Sequence, residues 1–348
     1  MITFTGMVYM LYTVQCRPQA GAEAVAVTKN WETVKELGIY RKNPQPTTVF
    51  CLVGPTAVGK TALALELARL YNAEIVSVDS MQVYRHLDIG TAKPSREERR
   101  QVPHHLIDIV DPDEDYSLAR FLGDAATALA DIQGRGKAAL FTGGTGLYLR
   151  GLRQGVFEMG GRDEQLRAAL NRRLETEGQE ALYDELKRLD PESARRIHPH
   201  DNQRLLRALE IFYHTGTTWS EHLQRGQQEA LLPAGVPVIG LACRRDILYE
   251  RIDRRVESML DQGLIEEVRS LLARGYGPEL APMQAIGYRH IIQYLEGTSS
   301  LAQARELMAR DTRRYAKRQL TWFRRTPGLK WCDQEDLTSI KGFIEQTL

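Results

Sequence analysis

Residues 54–61 read Gly54, Pro55, Thr56, Ala57, Val58, Gly59, Lys60 and Thr61, a full match to G-x-x-x-x-G-K-[ST]. A loop of this kind joins a strand to a helix, so it restricts the chain to few architectures. Both neighbours are present. Thr48 to Val53 is a short apolar, β-rich run. Ala62 to Leu70 carries Leu63, Leu67 and Leu70 at helical spacing with no breaker. The glycines let backbone N–H groups turn onto phosphate oxygens, and the helix N-terminus adds its positive end. Lys60 brings a point charge and Thr61 a hydroxyl for a magnesium ion. The segment therefore predicts a diphosphate or triphosphate site. It does not say what carries the phosphates.

Further strands follow. Ala73 to Val78 is apolar and extended, and it ends at Asp79, Ser80, Met81 and Gln82. A polar tetrad past the carboxyl end of a strand lies where open α/β sheets bind ligands. His104 to Val110 reads as a third strand, Ser117 as the N-cap of a helix reaching Ile132, and Lys137 to Thr142 as a fourth strand running into Gly143-Gly144-Thr145-Gly146. Residues 95–101 read as a solvated helical turn. The alternation predicts an α/β fold, a P-loop NTPase-like, doubly wound parallel sheet. From about 160 the pattern changes to charged helices over 163–189 and 201–214. A strand returns at Pro237 to Ala242, and helices fill most of 245–325. The expected organisation is a core over 47–160 and 236–330, a helical insertion over 161–235 and a tail over 331–348. Residues 1–46 are expected to be a poorly ordered extension, with no basic start of a secretory signal.

The net charge is only +1, so any nucleic-acid site must come from local clustering. One cluster stands out: Arg310, Arg313, Arg314, Lys317, Arg318, Arg324 and Arg325, interleaved with Tyr315, Trp322 and Phe323. Cations among aromatics suit a phosphate backbone and stacked bases, although the aromatics also fit a core-facing stripe, Trp322 above all. Cys16, Cys51, Cys243 and Cys332 lie far apart with no C-x-x-C pair, which points away from zinc and disulfide scaffolds and toward a reducing cytoplasm. No apolar run reaches the ~18–20 residues that span a bilayer.

Asp79 is the candidate general base, with magnesium binding as its rival role and a helix N-cap or turn residue as the plain alternative. Thr145 would face the same crevice. Of Arg251, Arg254 and Arg255, one or more can reach the crevice and meet a leaving phosphate with a planar fork. Two of the three are expected to pair with Glu250, Asp253 and Glu257. Arg204 and Arg207 share a helix face opposite Leu205 and Leu209. His104 and His105 read as structural.

Taken in order, Gly54–Thr61, Asp79–Arg85, Asp88–Pro94, His104–Asp108, Gly143–Tyr148, Gln203–Arg207, Ala285–Arg289 and Thr312–Arg324 resemble the tRNA dimethylallyltransferase family, in its bacterial form. The similarity runs from about 48 to 330. It implies transfer of a dimethylallyl group from dimethylallyl diphosphate to N6 of adenosine 37, beside the anticodon of tRNAs that read codons starting with U. Gly54 through Thr61 would then hold the donor's diphosphate, with Mg2+ on Thr61. Asp79, Thr145 and Arg255 would carry the chemistry. The family's tRNA contacts fall on Asp79, Ser80, Met81 and Gln82, on Arg167, and on Gln203, Arg204, Leu205, Leu206 and Arg207. They continue on Gln284, Ala285, Ile286, Gly287, Tyr288 and Arg289, and on Lys317, Arg318, Gln319, Leu320, Thr321, Trp322, Phe323 and Arg324. A cytoplasmic monomer acting on the anticodon arm is expected. Rival readings are a small-molecule kinase or NTPase, a prenyltransferase acting on free AMP or ADP, and an RNA-binding NTPase switch. A kinase or free-nucleotide enzyme has no need of so much basic helix beyond its core.

Overall fold

The computed structural model describes residues 48–155, 163–226 and 230–347. The extension expected over 1–46 lies outside the described residues. Six strands form one parallel sheet: β1 (Val49–Val53), β2 (Ala73–Val78), β3 (His104–His105), β4 (Ala138–Gly143), β5 (Val238–Ala242) and β6 (Leu329–Asp333). Their order is β3-β2-β4-β1-β5-β6. Strand β1 is central, with Cys51 beside Phe141 on one side and Val238 on the other. Strands buried on both faces read as continuous apolar runs, and Phe50, Cys51, Leu52, Ala139, Leu140 and Phe141 are all 0% exposed.

Helix α1 (Lys60–Leu70) follows the phosphate loop, and α2 (Arg96–Gln101) is the expected solvated turn, closed by a Ser95–Glu98 capping box. Helix α3 (Leu118–Gly134) begins at the Ser117 cap, and α4 (Gly146–Gln154) follows β4. The insertion contains α5 (Glu164–Glu177), α6 (Gln179–Leu189), α7 (Pro191–Arg196), α8 (Asn202–Thr215) and α9 (Trp219–Gly226). Gly178, at φ +83°, splits the helix expected over 163–189 into α5 and α6. The insertion buries its own apolar cluster, including Leu170, Leu182, Leu205 and Leu209. Asp190 pins it together, accepting from Ser193 N, Ser220 N and the Ser220 hydroxyl. Helices α10 (Arg245–Asp261), α11 (Leu264–Ala273), α12 (Tyr288–Leu295), α13 (Leu301–Phe323) and α14 (Leu337–Thr347) complete the chain.

Two expectations change. Only His104 and His105 of the third strand join the sheet. Beyond them the chain turns through left-handed Leu106 (φ 62°) and Asp108 (φ 58°), which an extended strand does not tolerate. The second change concerns residues 331–348, expected as a tail. Strand β6 pairs with β5 from Leu329 to Asp333, and α14 places Ile340 and Ile344 in the sheet's core at 0% exposure.

Candidate active site

The carboxyl ends of β1, β2 and β4 open into a cavity of about 610 Å³. The chain crosses over between these strands, the position at which a parallel sheet leaves a crevice. The other wall is a second apolar cluster, which includes Val256, Met283, Tyr288 and Met308.

The phosphate loop forms one side, with Thr56, Ala57, Gly59, Lys60 and Thr61 lining the cavity. Gly59 caps α1 with φ +103°, a left-handed conformation in which glycine is unstrained. Lys60 donates to the carbonyls of Gly54 (3.0 Å) and Pro55 (2.8 Å). An ammonium has three donors, so one remains. Burial, then the Arg255 charge, lowers the Lys60 amine to about 7, against a smaller pull from Asp79. Arg255, from α10, lines the cavity and donates to Thr56 Oγ1 at 3.2 Å. Arg251 also turns to this loop, donating to Val58 O (3.3 Å) and to Gln334 Oε1 (3.0 Å). Only Arg254 of the three arginines takes the expected carboxylate, Glu250. Asp253 and Glu257 instead pair with Arg313 and Arg305 of α13.

Asp79 lies past β2, with Ser80, Met81 and Gln82 beside it on the cavity wall. Its Oδ1 accepts from Met81 N (2.8 Å) and Gln82 N (3.3 Å), which leaves Oδ2 without a hydrogen bond among the described residues. Burial raises its carboxyl; the two backbone donors and then Lys60 oppose this. Thr145 does not line the cavity. Its Oγ1 accepts from Ser80 N at 3.1 Å and so supports the residue next to Asp79. Burial and then the Asp79 charge raise the Tyr315 phenol and keep it protonated. Tyr315 is thus a cavity residue, where its sequence context suggested base stacking or core packing. His105 pairs with Glu74 at 2.7 Å as a structural residue, whereas His104 also reaches the cavity.

Among the expected tRNA contacts, Ala285, Ile286, Gly287, Tyr288 and Gln319 line the cavity. Arg167, Gln203, Arg204, Gln284, Lys317, Arg318, Thr321 and Arg324 are exposed, and Leu206, Arg207, Arg289, Leu320 and Trp322 are half-buried. Leu205 (0% exposed) and Phe323 (1%) point into cores, so in their segments they hold a helix rather than face a ligand. Arg204 pairs with Asp201, Arg207 with Glu210 and Arg289 with Asp311.

Sequence reading missed Glu267 on α11. Its Oε2 accepts from Asp88 N (3.1 Å) and Ile89 N (2.8 Å), and its Oε1 from Gly90 N (3.2 Å) and the Tyr288 hydroxyl (2.6 Å). It ties the Asp88–Pro94 wall of the cavity to α12. One more Glu on a charged helix gives no local signal of this.

For magnesium, the donors suit a hard cation that keeps water and phosphate ligands. Thr61 lines the cavity at the start of α1, and among the described residues no group of three or more His, Cys, Asp or Glu is arranged to hold a metal ion by itself. No helix among them is long and apolar enough to cross a membrane.

A model of the IPP transferase family matches residues 82–326, and one of isopentenyl transferases matches residues 47–108. A tRNA dimethylallyltransferase of Syntrophobacter fumaroxidans is 48% identical over 300 residues, 86% of this chain and 87% of the relative. The crystal structure of a full-length tRNA isopentenylpyrophosphate transferase from Bacillus halodurans is 41% identical, with a TM-score of 0.63 over 86% of this chain and 97% of that one. A eukaryotic dimethylallyltransferase, captured crystallographically acting on tRNA, is 30% identical with a TM-score of 0.69, over 86% of this chain and 77% of that one. Like the relatives it matches along most of its length, this chain belongs to the IPP transferase family.

Proposed function

We infer that the protein transfers a dimethylallyl group from dimethylallyl diphosphate to N6 of adenosine 37 in tRNAs that read codons starting with U, releasing diphosphate. One observation carries the reading: a single cavity places anion-binding groups (Lys60, Thr61, Arg255) together with Asp79, whose Oδ2 is uncommitted. The diphosphate would take the loop N–H groups, the third Lys60 donor and Arg255. The short allylic chain would lie against Val256, Met259 and Met308, the apolar part of the cavity wall.

An adenine amino group is a weak nucleophile because its lone pair is delocalised into the ring. As N6 bonds to C1 of the donor, the allylic C–O bond breaks, its electron pair leaves with the diphosphate, and N6 must lose a proton. Asp79 Oδ2 would accept that proton. The charge on the leaving diphosphate is met by fixed donors that need no reorganisation. Magnesium held by Thr61, diphosphate oxygens and water would neutralise part of that charge. Adenosine 37 must swing out of its stack to reach the cavity. The insertion and the exposed cations of α13 supply a surface for the anticodon arm, which favours tRNA over free AMP or ADP as acceptor.

The test is incubation with labelled dimethylallyl diphosphate and either unmodified tRNA or AMP. Label is expected on tRNA, at adenosine 37. Label on AMP alone, or hydrolysis of ATP without prenyl transfer, would reject the reading.

A further inference from the structure

We propose that Gln319 is a positioning residue for prenyl transfer: its carboxamide, held on the inner face of α13, spaces the phosphate loop against the turn that supports Asp79. This role rests on the prenyl-transfer reading above. Gln319 Oε1 accepts from Thr56 N at 2.9 Å, and its Nε2 donates to Gly144 O at 2.9 Å. Gln319 is 6% exposed, so neither bond is replaced by water at little cost. The approach to the turn is close, because a Cβ on Gly144 would come within 2.3 Å of Nε2. Only a planar group with an acceptor at one end and a donor at the other satisfies both loops at once.

What each loop carries gives the strut its meaning. Thr56 also receives the Arg255 guanidinium through Oγ1, on the diphosphate side. Gly144 precedes Thr145, whose hydroxyl holds Ser80 N beside Asp79, on the acceptor side. Tyr315, one turn earlier on the same helix, lines the same cavity as Gly144 and Gln319. Leaving group and proton acceptor are thus spaced through one side chain. Its helix exposes Lys317 and Arg318 on the outer face. Displacement of reacting groups by ~1 Å costs ~100-fold in rate, so a strut of this kind is felt in the chemical step.

The experiment compares Gln319→Leu and Gln319→Glu with wild type for kcat, KM for dimethylallyl diphosphate, tRNA Kd and Tm. For Gln319→Leu, kcat is expected to fall by ~100-fold, with tRNA Kd and the donor's KM little changed. Gln319→Glu supplies a second readout that needs no comparison of folds. A protonated carboxyl can place an acceptor toward Thr56 N and a donor toward Gly144 O, as the amide does, whereas the carboxylate meets Gly144 O with no proton. Its kcat relative to wild type should therefore rise as pH falls. A rise in tRNA Kd that matches the loss in rate would make Gln319 an RNA contact and overturn the proposal. An unchanged kcat in folded Gln319→Leu would reduce it to packing. Should Gln319→Leu not fold, a pH-independent ratio in Gln319→Glu also overturns it. Wild-type protein assayed in parallel separates the two readings, since failure to prenylate tRNA there sinks the functional reading and this role with it.

Discussion

Lys60 gains more from the incoming ligand than a surface lysine would. Burial and Arg255 hold its amine at about 7 in the free protein, and the charge of a bound diphosphate raises it again. Below about pH 7 the amine is already charged and nothing is lost. Above that, binding must take up a proton, and affinity falls by up to ~10-fold per pH unit. Calorimetry of donor binding at alkaline pH, in two buffers of different ionisation heat, should show net proton uptake. Its absence would mean that Lys60 stays charged without ligand. Asp79 has the opposite sense. Burial raises its carboxyl, so the base form is lost from a higher pH than usual as acid is added. Asp79→Asn should lower kcat by at least ~100-fold and remove the acid limb of the rate profile, with tRNA Kd unchanged. Loss of magnesium-dependent diphosphate binding in that variant would assign Asp79 to the metal instead.

Element by element, the least legible part of the chain was its end. In strand β6, Leu-Lys-Trp-Cys-Asp, Cys332 alone is buried, and the strand's place is set by the open edge of β5. Helix α14 then covers that side of the sheet with Ile340 and Ile344. The loop between them sends Gln334 to Arg251 and onto the Gly59 corner of the phosphate loop. Ile344→Ala should cost ~2–5 kcal/mol in denaturant unfolding, as for a large apolar side chain removed from a packed core. A loss under ~1 kcal/mol would mean that the helix does not pack there. The shortened β3 has a comparable cause. Asp108 leaves the extended run because Lys93 (2.6 Å) and Arg99 (2.5 Å) take its carboxylate. Lys93 lies in the Asp88–Pro94 loop, a partner that apolar patterning does not announce.

Taken as one body, the described chain concentrates charge that the +1 total conceals. Asp311 gathers Arg289 (2.6 Å), Arg310 (3.1 Å) and Arg314 (3.6 Å), and Arg305 and Arg313 have partners on α10. Lys317, Arg318, Arg324 and Arg325 have no carboxylate partner among the described residues, and Arg318 lies 5.7 Å from the Tyr315 ring centroid. At this end of the chain's basic helix these cations are left free for RNA phosphates. Arg318→Ala should weaken tRNA binding and reduce the slope of log K against log salt by about one phosphate's share, ~0.7–0.9. An unchanged slope would count against a backbone contact there.

Residues that act within a few positions of one another could be read in order along the chain. The phosphate loop, its flanking strand and helix, the Asp79 tetrad and the Ser117 cap are such cases, because backbone sterics, capping and dipoles operate over that range. The partners of Arg251, Glu267, Gln319 and Gln334 could not be read this way. Gln319 meets Thr56 across 263 positions and Gly144 across 175. Those meetings exist only once the strand order has set β1 beside β4 and laid α13 across their ends. No rule of local conformation carries that information, because the hydrogen-bond partner of a buried amide is chosen by packing.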